Sequence, residues 1–133
     1  MTESPTVISL PEAFAGLEFL PDRKPQGNAG IPEGQPAWYA TIADYRNGGI
    51  FIVHYAGESQ WERHDHGDEI VMCLEGATTM TLLIDGEQVP VRLGAQQMVV
   101  VPEGTWHRFD TPDGAKIMTV TPQPTIDSVE DPT

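Results

Sequence analysis

The 133-residue chain has one cysteine, seven basic residues, four histidines and no long apolar run. Each scarcity excludes something. With Cys73 alone, no intrachain disulfide can form and nothing points to an oxidising compartment. No apolar run approaches the roughly 18 residues that span a bilayer, and Met1 to Leu10 lack the basic start and apolar centre of a secretory leader. A soluble, unprocessed, cytoplasmic protein is expected. Seven basic against 20 acidic residues give a formal charge of −13. Such a field repels phosphate backbones and anionic lipid over a Debye length of about 8 Å, so neither nucleic acid nor membrane is expected as a partner. Solubility alone accounts for that acidity.

Helical periodicity is also scarce, limited to a possible single turn near Pro11 to Ala15. In its place, thirteen glycines and 12 prolines punctuate runs rich in Val, Ile, Thr, Phe and Tyr, a pattern that predicts strands. The predicted strands are Ala37–Asp44, Ile50–Tyr55, Glu69–Leu74, Thr78–Ile84, Gln88–Arg92, Gln97–Val101, Trp106–Asp110 and Lys116–Thr121. Asn47-Gly48-Gly49 and Asp85-Gly86 read as hairpin turns. Short strands joined by tight turns indicate an all-β sandwich or barrel. In Glu69-Ile70-Val71-Met72-Cys73-Leu74 both faces are apolar after the first residue, so this strand should be buried on both sides. Residues 1–36, Pro- and Gly-rich from Leu20 onward, read as an irregular arm; 37–121 as the domain body; 122–133 as a tail. An arm of this kind lying across a second subunit would make a homodimer.

Three of the four histidines fall in two short patches, Trp61-Glu62-Arg63-His64-Asp65-His66-Gly67-Asp68-Glu69 and Pro102-Glu103-Gly104-Thr105-Trp106-His107. Imidazole nitrogen and carboxylate oxygen are common ligands of first-row divalent metals, and positions i and i+2 of a strand share a face. His64 and His66 could thus reach one ion, and Glu69, at the head of a buried strand, is a charge that a cation would compensate. His54 reads as a structural histidine, Trp61 and Trp106 as packing residues, Cys73 as inert core, and Arg63 and Arg108 as solvated surface groups.

On these residues the chain resembles the cupins, in particular small single-domain ones, over roughly Gly57 to Val120. Gly57, His64, His66, Glu69 and Gly76 match the first cupin motif; Pro102, Gly104 and His107 match the second. The resemblance implies a double-stranded β-helix, or jelly-roll barrel, in which His64, His66, Glu69 and His107 hold one divalent transition metal per chain (Fe, Mn, Zn or Ni). Only Gly67 and Asp68 separate His66 from Glu69, fewer than the family usually has. In a regular strand this spacing turns Glu69 away from His66, unless Gly67 makes a turn or bulge that resets the parity; Asp68 is the next carboxylate available. The function this implies is metal-dependent oxygenation or isomerisation of a small polar organic molecule. Two other readings stand beside it. One is a non-catalytic cupin that binds or senses a small ligand; the other is a metal-free, sugar epimerase-like cupin with a histidine base and Tyr39 or Tyr55 as acid.

Overall fold

β-Branched and aromatic runs dominate the strands of the protein, whose computed structural model describes residues 4–26 and 37–133. Among the described residues the one helix, α1 (Leu10–Ala15), is a short segment capped by Ser9, whose hydroxyl accepts from the Glu12 amide at 3.4 Å, and it buries Phe14. Nine strands follow: β1 (Leu20–Arg23), β2 (Tyr39–Tyr45), β3 (Gly48–Glu58), β4 (Trp61–His64), β5 (Glu69–Ile84), β6 (Glu87–Gly94), β7 (Gln97–Val101), β8 (His107–Pro122) and β9 (Thr125–Ser128). The expected all-β class holds, and the strands take up the jelly-roll arrangement, although their hydrogen-bonded ladders form one sheet that does not close into a ring.

Strand β8 is the spine of the molecule. Its second half lies antiparallel between β3 and β5, so that Thr119 has Phe51 on one side and Val71 on the other. Beyond β5 come β7 and, through the Asp85–Gly86 turn, β6. Both residues of that turn have positive φ, 52° and 79°, as a two-residue hairpin of matching twist requires.

Four predicted strands are halves of two long ones. Glu69–Leu74 and Thr78–Ile84 join as β5, and Trp106–Asp110 and Lys116–Thr121 as β8. The residues between them break the ladder register without ending the strands, which is how a bulge differs from a turn. Gly76, at φ 79°, sits at this irregularity, and a Cβ there would collide with the Gly114 carbonyl. Because of the shift, both halves of β5 present alternate residues to one core: Val71 and Cys73, then Met80 and Leu82. Tyr55, Phe109, Ala115 and Ile117 complete it. Burying each large apolar side chain contributes about 1.5–3 kcal/mol.

Three expectations need correction. The β2–β3 turn falls on Arg46 and Asn47, with Gly48 and Gly49 already in β3, because Arg46 itself takes the positive φ of 51°. The arm is not irregular throughout: Leu20–Arg23 pairs parallel with β3, and as an edge strand β1 tolerates Pro21, which has no amide to donate. The remainder of the arm that the prolines and glycines suggested, 27–36, lies outside the described residues. Finally, the tail set apart from the domain body belongs in part to its sheet. β9 pairs antiparallel with β4, setting His64 opposite Thr125 and Trp61 opposite Ser128.

The parallel approach of β1 depends on Gly57. Its φ is 118°, and a Cβ at this position would strike the backbone of Arg23. Gly57→Ala is therefore expected to displace β1 and lower stability by about 2 kcal/mol, read from chemical denaturation. Equal stability of the variant would show that β1 is not held by this contact.

Candidate metal centre

Two strands that meet at one end of the molecule supply the histidines. His64 is the last residue of β4, and His107 is the first of β8, where it pairs with Glu62. The turn at Pro102–Thr105 aims β8 at this point: the Thr105 amide donates to the Pro102 carbonyl at 3.2 Å, and the Gly104 amide to the His64 carbonyl at 2.8 Å. Glu69 begins β5 after a bend at 65–67, where Gly67 takes φ 147°. That bend does what the shortened spacing demanded, and Glu69 faces the histidines.

The result is a tight buried cluster. His64 Nε2 is 3.3 Å from Glu69 Oε2, and His107 Nε2 is 3.0 Å from Glu69 Oε1. All three residues are under 5% exposed. Despite the short distances, His64 Nε2, His107 Nε2 and Glu69 Oε1 have no hydrogen-bond partner; their lone pairs and donors are not aligned on one another. Buried polar atoms are almost always satisfied. Three orphans gathered at one spot fit a common cation.

The opposite edge of each ring favours the same tautomer. His107 Nδ1 is 2.9 Å from the Thr105 carbonyl, which can only accept, so Nδ1 carries the proton. His64 Nδ1 is 3.1 Å from the Thr125 hydroxyl, whose own hydrogen goes to Gln123 Oε1 at 3.3 Å. That hydroxyl is left to accept from Nδ1–H. Both imidazoles therefore turn a free Nε2 lone pair to the cluster when neutral, the outer-shell arrangement that orients metal-binding histidines. The Glu69 carboxylate is fixed by Thr121, whose hydroxyl donates to Oε2 at 2.6 Å and lies 2.8 Å from the Thr119 hydroxyl.

The expected ligand set is divided by the structure. His64, Glu69 and His107 come together; His66 does not. It lies exposed in the bend, with its carbonyl accepting from Asn47 Nδ2 at 2.9 Å. Strand alternation fails to place it because β4 ends at His64. The same alternation applied backwards places Glu62, and ligand atoms of Glu62, His64 and His107 all lie within 4.8 Å of one another. Glu62 Oε2 is 4.0 Å from His64 Nε2, while Oε1 accepts from Gln60 Nε2 at 2.8 Å. Asp68, the reserve carboxylate, is spent on the Glu103 amide at 2.8 Å.

Electrostatics follows from this crowding. Burial alone would raise the Glu69 carboxyl, but the imidazoles of His107 and His64 close beside it outweigh burial and hold it down at about 2. Burial alone would lower His107, yet the adjoining Glu69 carboxylate, helped by the Thr105 carbonyl, raises it. Burial and then the Glu69 charge raise Glu62. Without metal, His107 stabilises the fold fully below its unfolded value of about 6.5 and loses that contribution as pH rises through its raised folded value. Glu69 loses its own only as pH falls through about 2. Metal must displace the His107 proton. Zn(II) affinity is therefore expected to rise with pH through the His107 titration, with close to one proton released from that residue. Calorimetry in buffers of different ionisation enthalpy measures the release; uptake independent of pH from about 6 to 8 would contradict the arrangement.

Other expectations fall into place around the centre. His54 stacks on Phe19 at 4.8 Å, away from the cluster. Cys73 is fully buried and its thiol is pushed up by burial. Trp61 is buried, and the expected surface arginines stack on indoles: Arg63 4.8 Å from the Trp106 ring, Arg108 5.6 Å from that of Trp61. Glu62 and Glu69 open onto a cavity of about 370 Å³, also lined by Tyr39, Tyr55, Thr119 and Thr121.

Comparison with known proteins agrees with the fold. An acireductone dioxygenase of Rhodopseudomonas palustris is 39% identical over 49 residues, 37% of this chain and 29% of that protein. The chain thus spans under a third of the length of the curated relatives it matches. Among solved structures, a cupin-2 domain protein of Shewanella frigidimarina superposes with a TM-score of 0.64 at 23% identity, over 88% of this chain and 95% of that one. The hydroquinone 1,2-dioxygenase of Sphingomonas sp. TTNP3, with 4-hydroxybenzoate bound, gives 0.55 at 18% identity over 68% of each chain. The model of the cupin domain matches residues 49–121, from β3 through β8 and more than half of the sequence: the chain belongs to the cupin domain family.

Proposed function

We propose that the protein is a metal-dependent cupin enzyme that oxygenates or isomerises a small polar organic molecule. The observation that carries this reading is the convergence of His64 Nε2, His107 Nε2 and Glu69 Oε1, buried and without hydrogen bonds, beside a cavity large enough for a small molecule. Glu62 completes the donor set. Two imidazoles and carboxylates suit Fe, Mn, Zn and Ni alike, and availability selects among them. When bound, such an ion supplies Lewis acidity at a carbonyl or enol oxygen and, if redox-active, an electron.

The chain's own residues do the rest. Thr121 and Thr125 hold Glu69 and His64 in the orientation the ion requires, and Phe51, Val53, Phe109 and Ile117 give the cavity an apolar wall. The 39% identity over 49 residues to an acireductone dioxygenase favours oxygenation. The metal-free epimerase-like reading is disfavoured, because it leaves the orphaned donor atoms without a role.

The test is turnover in defined metal forms. Oxygen uptake that requires Fe(II) and an enediol or hydroquinone supports oxygenation. Interconversion of a hydroxycarbonyl compound by the Zn(II) or Ni(II) form without oxygen supports isomerisation. Recovery of every tested ligand unchanged from all metal forms would contradict both and leave a cupin that only binds.

A further inference from the structure

Arg23 is an anomaly in this acidic chain. Its guanidinium carbon lies 4.6 Å from the ring centres of both Trp38 and Tyr55, so two aromatic side chains hold it in place. Nη2 donates to Gln60 Oε1 at 3.3 Å, and the Tyr55 hydroxyl lies close to the guanidinium. Among the described residues no carboxylate lies within ion-pair distance of it. Lys24, the neighbouring base, is exposed and paired with Asp22 at 3.1 Å. A guanidinium carries five donors in a planar fork suited to a carboxylate, and among the described residues no carboxylate takes up Arg23's fork.

Tyr55 adds a second unmet group. It is 1% exposed, lines the same cavity as Arg23, and its hydroxyl, close to Arg23 and Thr111, makes no well-aligned hydrogen bond to either. An unpartnered buried hydroxyl is costly unless something else satisfies it. The same cavity is lined by the apolar Leu20, Phe51, Val53 and Ile117 as well as by Glu62 and Glu69 of the cluster.

From this juxtaposition we propose that the cavity takes a small carboxylic acid with an apolar or aromatic body, its carboxylate bound by Arg23 and Tyr55. The proposal rests on the cavity being the ligand site of the metal centre and specifies which ligands enter it. It also gives β1 a role: this edge strand, fixed against Gly57, brings in the anion-recognising residue. Arg63 and Arg108, the arginines conspicuous in the sequence beside the metal motifs, stack on tryptophans instead.

The competing role for Arg23 is to steady Glu62 through Gln60, and the two roles separate experimentally. Benzoate and its uncharged methyl ester are titrated calorimetrically into the wild type, Arg23→Lys, Arg23→Gln and Tyr55→Phe proteins, each with and without Zn(II). The wild type is expected to prefer benzoate at least about tenfold, Arg23→Gln to lose the preference, and Arg23→Lys to keep part of it. Tyr55→Phe should weaken the acid more than the ester. An equal preference for acid and ester in the wild type, a preference untouched in Arg23→Gln, or no saturable benzoate binding up to about 10 mM would overturn the proposal. Loss of Zn(II) affinity in Arg23→Gln with the acid preference intact would assign Arg23 to Glu62 alone. An Arg23-dependent acid preference in a protein that takes up no metal would support this inference while removing the metal reading.

Discussion

Replacing His107 with alanine is expected to lower Zn(II) or Co(II) affinity at least about a hundredfold, since loss of even an outer partner of a metal ligand costs 10–100-fold. The residue occupies the centre of the cluster: its Nε2 is 3.0 Å from Glu69, it is 1% exposed, and its Nδ1 is committed to Thr105. The metal-free variant should also be less stable, by about 3 kcal/mol, because Glu69 is left as a buried charge without its nearest cationic partner. Titration with Co(II), followed by its absorption bands, reads the first effect, and urea denaturation the second. Retention of near wild-type affinity would remove His107 from the centre. A His107→Gln variant, which keeps the volume and some polarity, guards against loss by unfolding.

A contrast of two variants carries the second large effect. Glu62→Gln is expected to weaken metal binding by about tenfold or more, whereas His66→Ala should leave it within about threefold. Histidine is the commoner metal ligand and His66 matches the cupin motif, so sequence alone favours the opposite order. The structure puts Glu62 on β4 beside His64 and His107, and leaves His66 exposed in the following bend. The same titration decides. A large loss in His66→Ala, with Glu62→Gln unaffected, would show that the bend reorganises when metal binds and that the motif histidine is a ligand after all.

Much of this was legible before any coordinates. The β class follows from β-branched runs cut by glycine and proline, and β7 matches its predicted bounds, Gln97–Val101. The place of His107 in the cluster is legible from the Pro-Gly turn that delivers it to a strand, and that of Glu69 from Gly67, which supplies the backbone freedom its spacing needs. The placement of His66 away from the cluster has a physical origin. Alternation tells which residues share a face only while the strand continues, and nothing local in Arg63-His64-Asp65-His66 marks β4 as ending at His64.

Long-range pairing was the other hidden quantity. Leu20-Pro21-Asp22-Arg23 is a poor strand by composition and forms one only because β3 offers it an edge. Likewise, Thr125 and Thr121 have no local signature. Each matters because the tail folds back beside β4 and because β8 ends near Glu69, which sets hydroxyls more than 50 positions away against the ligands.

The central claim is that His64, Glu69 and His107 grip one ion. Anomalous diffraction at the metal edge from crystals grown with Zn(II) or Co(II) tests it most directly. A single strong peak in contact with Nε2 of both histidines and a Glu69 carboxylate oxygen is the predicted result. A peak elsewhere, or none at this cluster in crystals that hold the metal at other positions, would contradict it.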